Sequence, residues 1–314
     1  MRDRCSSINS NIKIYSEMKK LIFWTLMIIP SALMAQGMEH GKQDLPVNWE
    51  ELTSPDFMTA VEKSARTCVI PLGIIEKHGP HMPLGTDLID VREIAKRAAE
   101  EEFTIVFPPF YFGQIYEAKQ QPGTVAYSPQ TVLTVLQETC DEIYRNGIEK
   151  IILLSGHGGN NSLLPYFCQF QLEKQKDYAV YLFRPVDSDE YQVKLNKMRQ
   201  TDWDGHAGET ETSLMLAHRP DLVHLDRANS QSGKDQQRLN SLSFAYTAIW
   251  WYAQFPNHYA GDGSYGTVEM GNLIMENEVD QLVEMIRSVK ADQLTIELQR
   301  QFYEDSKNPL ETEQ

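Results

Sequence analysis

Short apolar, β-branched runs alternate with helical stretches through the middle of this chain. That alternation narrows the possible folds to an α/β type, a mostly parallel sheet covered by helices on both faces. Cys68-Val69-Ile70-Pro71-Leu72, residues 104–108, Lys150-Ile151-Ile152-Leu153-Leu154 and Ala179-Val180-Tyr181-Leu182-Phe183 read as strands, and residues 88–101, 129–146 and 161–175 as helices. Residues 229–243, rich in Ser, Gln and Asn, read as an exposed loop. From Gly271 the spacing of Leu273, Val279, Leu282 and Ile286 predicts a covering helix that ends in a polar tail. No Pro/Gly/Ser-rich linker or internal repeat divides the chain, so residues 36–314 are expected to form a single domain.

The stretch before that domain has the makings of a secretory leader. Lys19 and Lys20 precede Leu21-Ile22-Phe23-Trp24-Thr25-Leu26-Met27-Ile28-Ile29, and small residues come next, up to Ala35. Residues 1–35 are therefore expected to be a signal peptide, with residues 1–17 lying upstream of a true start at Met18. The apolar run is shorter than the ~20 residues a spanning helix needs, so the expectation is export to the periplasm as a soluble protein without stable membrane anchoring. The formal charge is −15. The leader holds more basic residues (Arg2, Arg4, Lys13, Lys19, Lys20) than acidic ones (Asp3, Glu17), so residues 36–314 are more acidic still, a poor partner for nucleic acid. Cys68, Cys140 and Cys168 sit in apolar segments without C-x-x-C spacing and read as small buried hydrophobes.

Chemistry concentrates in three clusters, each on a glycine-bearing turn beside an apolar element. The first is Glu76-Lys77-His78-Gly79-Pro80-His81-Met82-Pro83-Leu84-Gly85-Thr86-Asp87, directly after a strand. Carboxylates and imidazoles together suit zinc or manganese, and an Asp at the end of such a run can bridge two ions. Lys77, between two candidate ligands, is expected to face solvent. The second, Gly156-His157-Gly158-Gly159-Asn160-Asn161, comes after another strand and brings His157 to the same sheet edge, with Asn160 able to cap a helix or donate to an oxyanion. A glycine-rich turn can also cradle phosphate, but neither G-x-G-x-x-G nor G-K-[ST] is present. The third, Trp203-Asp204-Gly205-His206-Ala207-Gly208-Glu209-Thr210-Glu211-Thr212-Ser213, places Glu209 or Glu211 at a helix start. A lone His or a Glu in a first helical turn is usually structural; three such clusters in one chain argue for a shared site.

In this order, Glu76-x-His78-Gly79-x-His81-x-Pro83-x-Gly85-Thr86-Asp87, Gly156-His157-Gly158-Gly159-Asn160 and His206-Ala207-Gly208-x-x-Glu211-Thr212-Ser213 resemble the signature blocks of the creatininase (creatinine amidohydrolase) superfamily, in its Gly-His-Gly-Gly-Asn members. The resemblance runs from about Val69 to Val223, with a fainter echo at Gly261-Asp262-Gly263 and Gly266-Thr267-Val268-Glu269-Met270-Gly271. It implies a three-layer α/β domain, two divalent metal ions (zinc, manganese or both), hydrolysis of a small amide C–N bond, and a homo-oligomer, hexameric in the family. Position by position it implies Glu76, Asp87 and His157 around one ion, and His78 with the bridging Asp87 around the second. Creatininase proper has a Glu where this chain has Gly159, and Glu211 is the replacement the resemblance suggests. His206 is then the acid/base and Asn160 an oxyanion donor, with Trp203, Asp204 and Gly158 around the substrate. His81 either replaces His78 or orients the ligands from behind.

The expected activity is therefore metal-dependent cleavage of a small cyclic or non-peptide amide. A formamide hydrolase or short-peptide peptidase on the same centre is the alternative, and a metal-dependent binding protein without turnover is a third reading.

Overall fold

The computed structural model of the chain describes residues 45–311, so the expected leader lies outside the described residues. Four strands, β1 (Thr67–Leu72), β2 (Ile105–Val106), β3 (Lys150–Ser155) and β4 (Ala179–Leu182), form one sheet in the order β2-β1-β3-β4, every pair parallel. The register of the central pair runs from Thr67 opposite Lys150 to Leu72 opposite Ser155. Both strands thus end level, and the chain leaving each one enters the same edge of the sheet, the edge where open α/β sheets carry their ligands.

Alternation along the strands supplies two cores. Val69, Ile152 and Leu154 pack toward α2 (Thr86–Glu101) and the long α8 (Val268–Ala291), whose Val279, Leu282, Val283 and Ile286 are buried. Cys68, Ile70, Leu72, Ile151 and Leu153 point the other way, onto α1 (Ser54–Lys63), α3 (Pro129–Arg145) and α4 (Asn160–Phe170). Strands buried on both faces explain the nearly unbroken apolar runs in the sequence. The other helices are α5 (Asp189–Met198), α6 (Glu209–His218), α7 (Trp250–Gln254) and α9 (Leu294–Asp305).

Three boundaries depart from expectation. The strand at 104–108 keeps only Ile105 and Val106, because Pro108 and Pro109 come soon after and cannot donate to a ladder. The helix at 161–175 gives way after Phe170 to a tighter turn, Gln171–Glu173, whose Gln171 carbonyl meets the Tyr303 hydroxyl at 2.7 Å. The single C-terminal helix is two, because Asp292 accepts the amides of Leu294 and Thr295 and starts α9. Cys68, Cys140 and Cys168 are all free thiols, the first two buried.

Candidate metal centre

Local chain geometry puts the candidate ligands on one spot. Glu76 and His78 lie in the irregular segment after β1 and are wholly buried. Asp87 is the second residue of α2, and that helix start can sit on the end of β3 because Gly156 has no side chain: a Cβ there would be 2.5 Å from the Asp87 carbonyl oxygen. His157 occupies the turn from β3 to α4, and Glu211 the first turn of α6.

The Asp87 carboxylate stands between two imidazoles, with Oδ1 2.8 Å from His78 Nε2 and Oδ2 3.0 Å from His157 Nδ1. Glu76 Oε1 is 2.9 Å from the same His157 nitrogen. Both Glu76 Oε1 and Asp87 Oδ2 are buried and, apart from that nitrogen, have no hydrogen-bond partner among the described residues. His157 is fixed from behind: its Nε2–H donates to the Gln114 carbonyl at 2.8 Å, which turns Nδ1 toward the carboxylates. Two buried carboxylate oxygens converging on one imidazole nitrogen fit a cation, which would replace the proton His157 otherwise shares with them, and Glu76, Asp87 and His157 form one group able to surround it.

A second group lies on the other side of Asp87. His78 Nδ1 faces the Glu76 carbonyl at 3.3 Å, which leaves Nε2 toward Asp87 and, at 3.9 Å, Glu211 Oε2. His206 donates Nε2–H to the Lys77 carbonyl at 2.9 Å and turns Nδ1 toward Glu211 Oε2, 3.7 Å away. His78, His206 and Glu211 can thus also surround an ion. The residues present fit a divalent metal at both positions.

The charges agree with this reading. Burial works against a charged His78, yet Asp87, with Glu76 and Glu211 behind it, raises its pKa to about 10. His157 is likewise buried but held well above the usual histidine range by Glu76 and Asp87. Glu76 is held well below the carboxylate range because His157 and His206 outweigh its burial, whereas burial and Asp87 push Glu211 up. In metal-free protein at neutral pH, His78 and His157 therefore hold protons where ions would sit. Loading zinc is expected to release about two protons per chain, and affinity to tighten as pH rises. Calorimetry in buffers of different ionisation enthalpy measures this release, and its absence would place the ions elsewhere.

The two carboxylates of α6 have different work. Glu209 is wholly buried and accepts the amides of Gln200 and Thr201 and the Thr201 hydroxyl at 2.6 to 3.1 Å, which ties down the preceding loop. Glu211 alone reaches the centre. Glu209→Ala is expected to lower stability by about 1–3 kcal/mol, because three partly buried donors lose a charged acceptor, while zinc stoichiometry in the folded fraction stays unchanged. Thermal melting with metal analysis separates the two effects. Gly159 cannot carry a ligand here: a Cβ would lie 2.3 Å from His157 Nε2 and 2.9 Å from the Gln114 carbonyl.

Asn160, expected as an oxyanion donor, lines the cavity beside the centre and also uses both ends of its amide in local bonds. It accepts the Gln114 amide at 3.2 Å and donates to Ser155 Oγ at 3.3 Å, and so supports the carbonyl that holds His157. His81 is buried against Thr212 Oγ1 at 2.8 Å, outside both groups, its pKa lowered to about 4 by burial and the His78 charge. Asp204 accepts the Thr210 amide at 2.7 Å at the start of α6. Trp203 stacks on Phe255 with centroids 5.0 Å apart and lines a separate aromatic cleft with Trp250, Trp251 and Tyr265. Lys77 points away from Glu76 and His78 as expected, but not into solvent: its Nζ donates to Gln121 Oε1, Gln231 Oε1 and the Asn257 carbonyl, because three loops fold over it. Nothing in the sequence pattern marks His258, whose Nε2 meets Glu76 Oε2.

A cavity of about 640 Å³ opens beside the centre, lined by Asp87, His157, Gly158, Asn160 and Glu211. That volume suits a small molecule. A Cβ on Gly158 would meet nothing within 4 Å, so this wall is open. Farther out stand Glu278, which burial and nearby Asp90 push up to about 7, and Arg184, which forms no ion pair among the described residues.

A carboxylate–imidazole centre at the C-terminal edge of a parallel sheet, open to a cavity of this size, is the architecture of a metal-centre α/β hydrolase. The chain belongs to the creatininase family: the family profile, described as creatinine amidohydrolase, matches residues 50–286. It is similar to the creatinine amidohydrolase of Pseudomonas putida, 28% identical over 193 residues that cover 56% of this chain and 74% of that protein. It is also similar to the mycofactocin precursor peptide peptidase of Mycolicibacterium smegmatis, 31% identical over 164 residues, 50% of this chain and 60% of that one. Among solved structures, creatininase with Mn superposes with a TM-score of 0.68 at 25% identity, over 78% of this chain and 99% of that chain.

Proposed function

We propose that this chain is a divalent-metal-dependent amidohydrolase that cleaves a small cyclic or non-peptide amide. The observation that carries the reading is the pair of buried carboxylate oxygens, Glu76 Oε1 and Asp87 Oδ2, converging on His157 Nδ1 at the edge of a small-molecule cavity. Glu76, Asp87 and His157 would hold one ion, and His78, Asp87 and Glu211 the second; zinc and manganese match these donors, and one relative is a manganese creatininase. Such ions lower the pKa of a bound water toward 7 and polarise a carbonyl. The chain's residues supply the rest. Gly158 leaves room for the substrate, Asn160 and the Gln114 carbonyl keep His157 turned inward, and His206 Nδ1 faces the cavity-lining Glu211, placed to move a proton to the departing nitrogen. Export through residues 1–35 and assembly into a homo-oligomer belong to the same proposal.

Hydrolysis of a short peptide is the second reading, favoured by Arg184 at the cavity, which has no ion-pair partner among the described residues and whose guanidinium suits a terminal carboxylate, and by the peptidase among the relatives. Formamides are a third substrate class on the same centre. Purified protein is to be stripped with chelator, reloaded with zinc or manganese, and assayed on creatinine, formamides and dipeptides. Activity that disappears with the metal and returns with it is expected, and the panel identifies the amide class. Full activity after complete metal removal would overturn the proposal, and tight binding of one of these compounds without turnover would favour a binding protein.

A further inference from the structure

We infer that His258 is a positioning residue that donates a hydrogen bond to Glu76 and is barred from acting as a metal ligand by the indole of Trp251. The inference rests on Glu76 being a ligand, as proposed above. Glu76, His206 and His258 lie close enough together to suggest a third ion. The hydrogen bonds argue against one. Trp251 Nε1–H, a donor with no acceptor capacity, points at His258 Nδ1 from 2.8 Å, so Nδ1 carries the lone pair and Nε2 the proton. That proton is given to Glu76 Oε2, leaving Nε2 no lone pair for a cation. Glu76 is thereby satisfied on Oε2, while Oε1 stays free toward His157 and Asp87.

The backbone shows how firmly this is held. His258 has φ 51°, in the left-handed region that favours glycine, and is only 2% exposed. A non-glycine residue persists there when its surroundings over-determine it, as at sites that clamp a functional group. The surroundings here are a strap. Asn257 receives Lys77 Nζ at 2.6 Å through its carbonyl, His258 grips Glu76, and Ala260 exchanges two backbone hydrogen bonds of 2.9 Å with His206. One four-residue segment thus fixes Glu76, its neighbour Lys77 and His206 together, and through Trp251 it joins the centre to the aromatic cleft.

The test compares His258→Gln, whose amide nitrogen can replace the Nε2 donor, with His258→Leu, which cannot donate, and His258→Gly, which meets the backbone demand and guards against misfolding. Zinc content is read by elemental analysis, zinc affinity by competition with a chromophoric chelator, and ligand geometry by the visible spectrum of the cobalt-loaded protein. His258→Leu and His258→Gly are expected to keep the wild-type number of ions but to bind the ion held by Glu76, Asp87 and His157 about 10- to 100-fold less tightly, the usual loss of an outer hydrogen-bond partner. His258→Gln should restore most of the affinity and the wild-type spectrum. Wild-type affinity in both Leu and Gly variants, or a third ion in the wild type that all three variants lose, would overturn the inference. A wild-type protein that binds no divalent ion would instead remove the metal reading itself.

Discussion

Glu211→Gln is expected to reduce the metal content of the protein from two ions per chain to one and to lower kcat/KM by more than about 100-fold, beyond the loss typical of an outer partner. The substitution is nearly isosteric. Glu211 accepts the Ala207 amide at 2.6 Å, a bond the Gln carbonyl can keep, so the turn ahead of α6, with Ala207 at φ 56°, should stay in place. What is lost is the negative charge 3.9 Å from His78 Nε2 and 3.7 Å from His206 Nδ1, the only carboxylate besides Asp87 within reach of His78 Nε2 among the described residues. Glu76, Asp87 and His157 do not depend on it, so one ion should remain. Adding Gly159→Glu should not rescue the variant, because its Cβ would collide with His157 and displace a ligand of the remaining ion. Elemental analysis of the two variants beside Glu209→Gln decides the matter. Two ions retained in Glu211→Gln would remove Glu211 from the centre.

The sheet is legible in the sequence because its strands are buried on both faces. Val69 and Ile70, or Ile152 and Leu153, serve opposite cores but are equally apolar, so the runs stand out even without alternation. Glu76, His78, Asp87 and His157 are legible for a related reason: parallel strands in level register deliver the segments after them to one edge. Lys77 shows the limit of that logic. Its direction, opposite to Glu76 and His78, is that of an extended segment, but what lies there depends on Gln121, Gln231 and Asn257, distant in sequence. Proximity in sequence puts Trp203 beside His206, yet it stacks on Phe255, with Trp251 between the two. His258 has no local signature at all. It is a single histidine in a loop, 182 residues from the carboxylate it touches, in a backbone conformation that composition does not announce.

His206 carries the second large expectation, because its geometry permits two roles with different consequences. Its ring is fixed by the Lys77 carbonyl on Nε2 and by backbone bonds to Ala260, so Nδ1 is presented to Glu211 with its lone pair free. A proton carrier of this kind is worth roughly 10² to 10⁴ in rate, and His206→Asn is expected to lose kcat by that factor with KM and zinc content little changed. A ligand would behave otherwise, and zinc content would fall together with activity, since His206 also belongs to the group with His78 and Glu211. The leaving group offers an independent reading. An amide nitrogen needs a proton to depart, whereas a nitrophenolate does not at neutral pH. On a nitrophenyl ester of the preferred acyl group, His206→Asn should therefore recover most of the lost rate, while Glu211→Gln should recover none, because its deficit lies in activating the attacking water rather than in releasing the product. Equal deficits on both substrate types would assign His206 to holding the centre and leave the proton to another group.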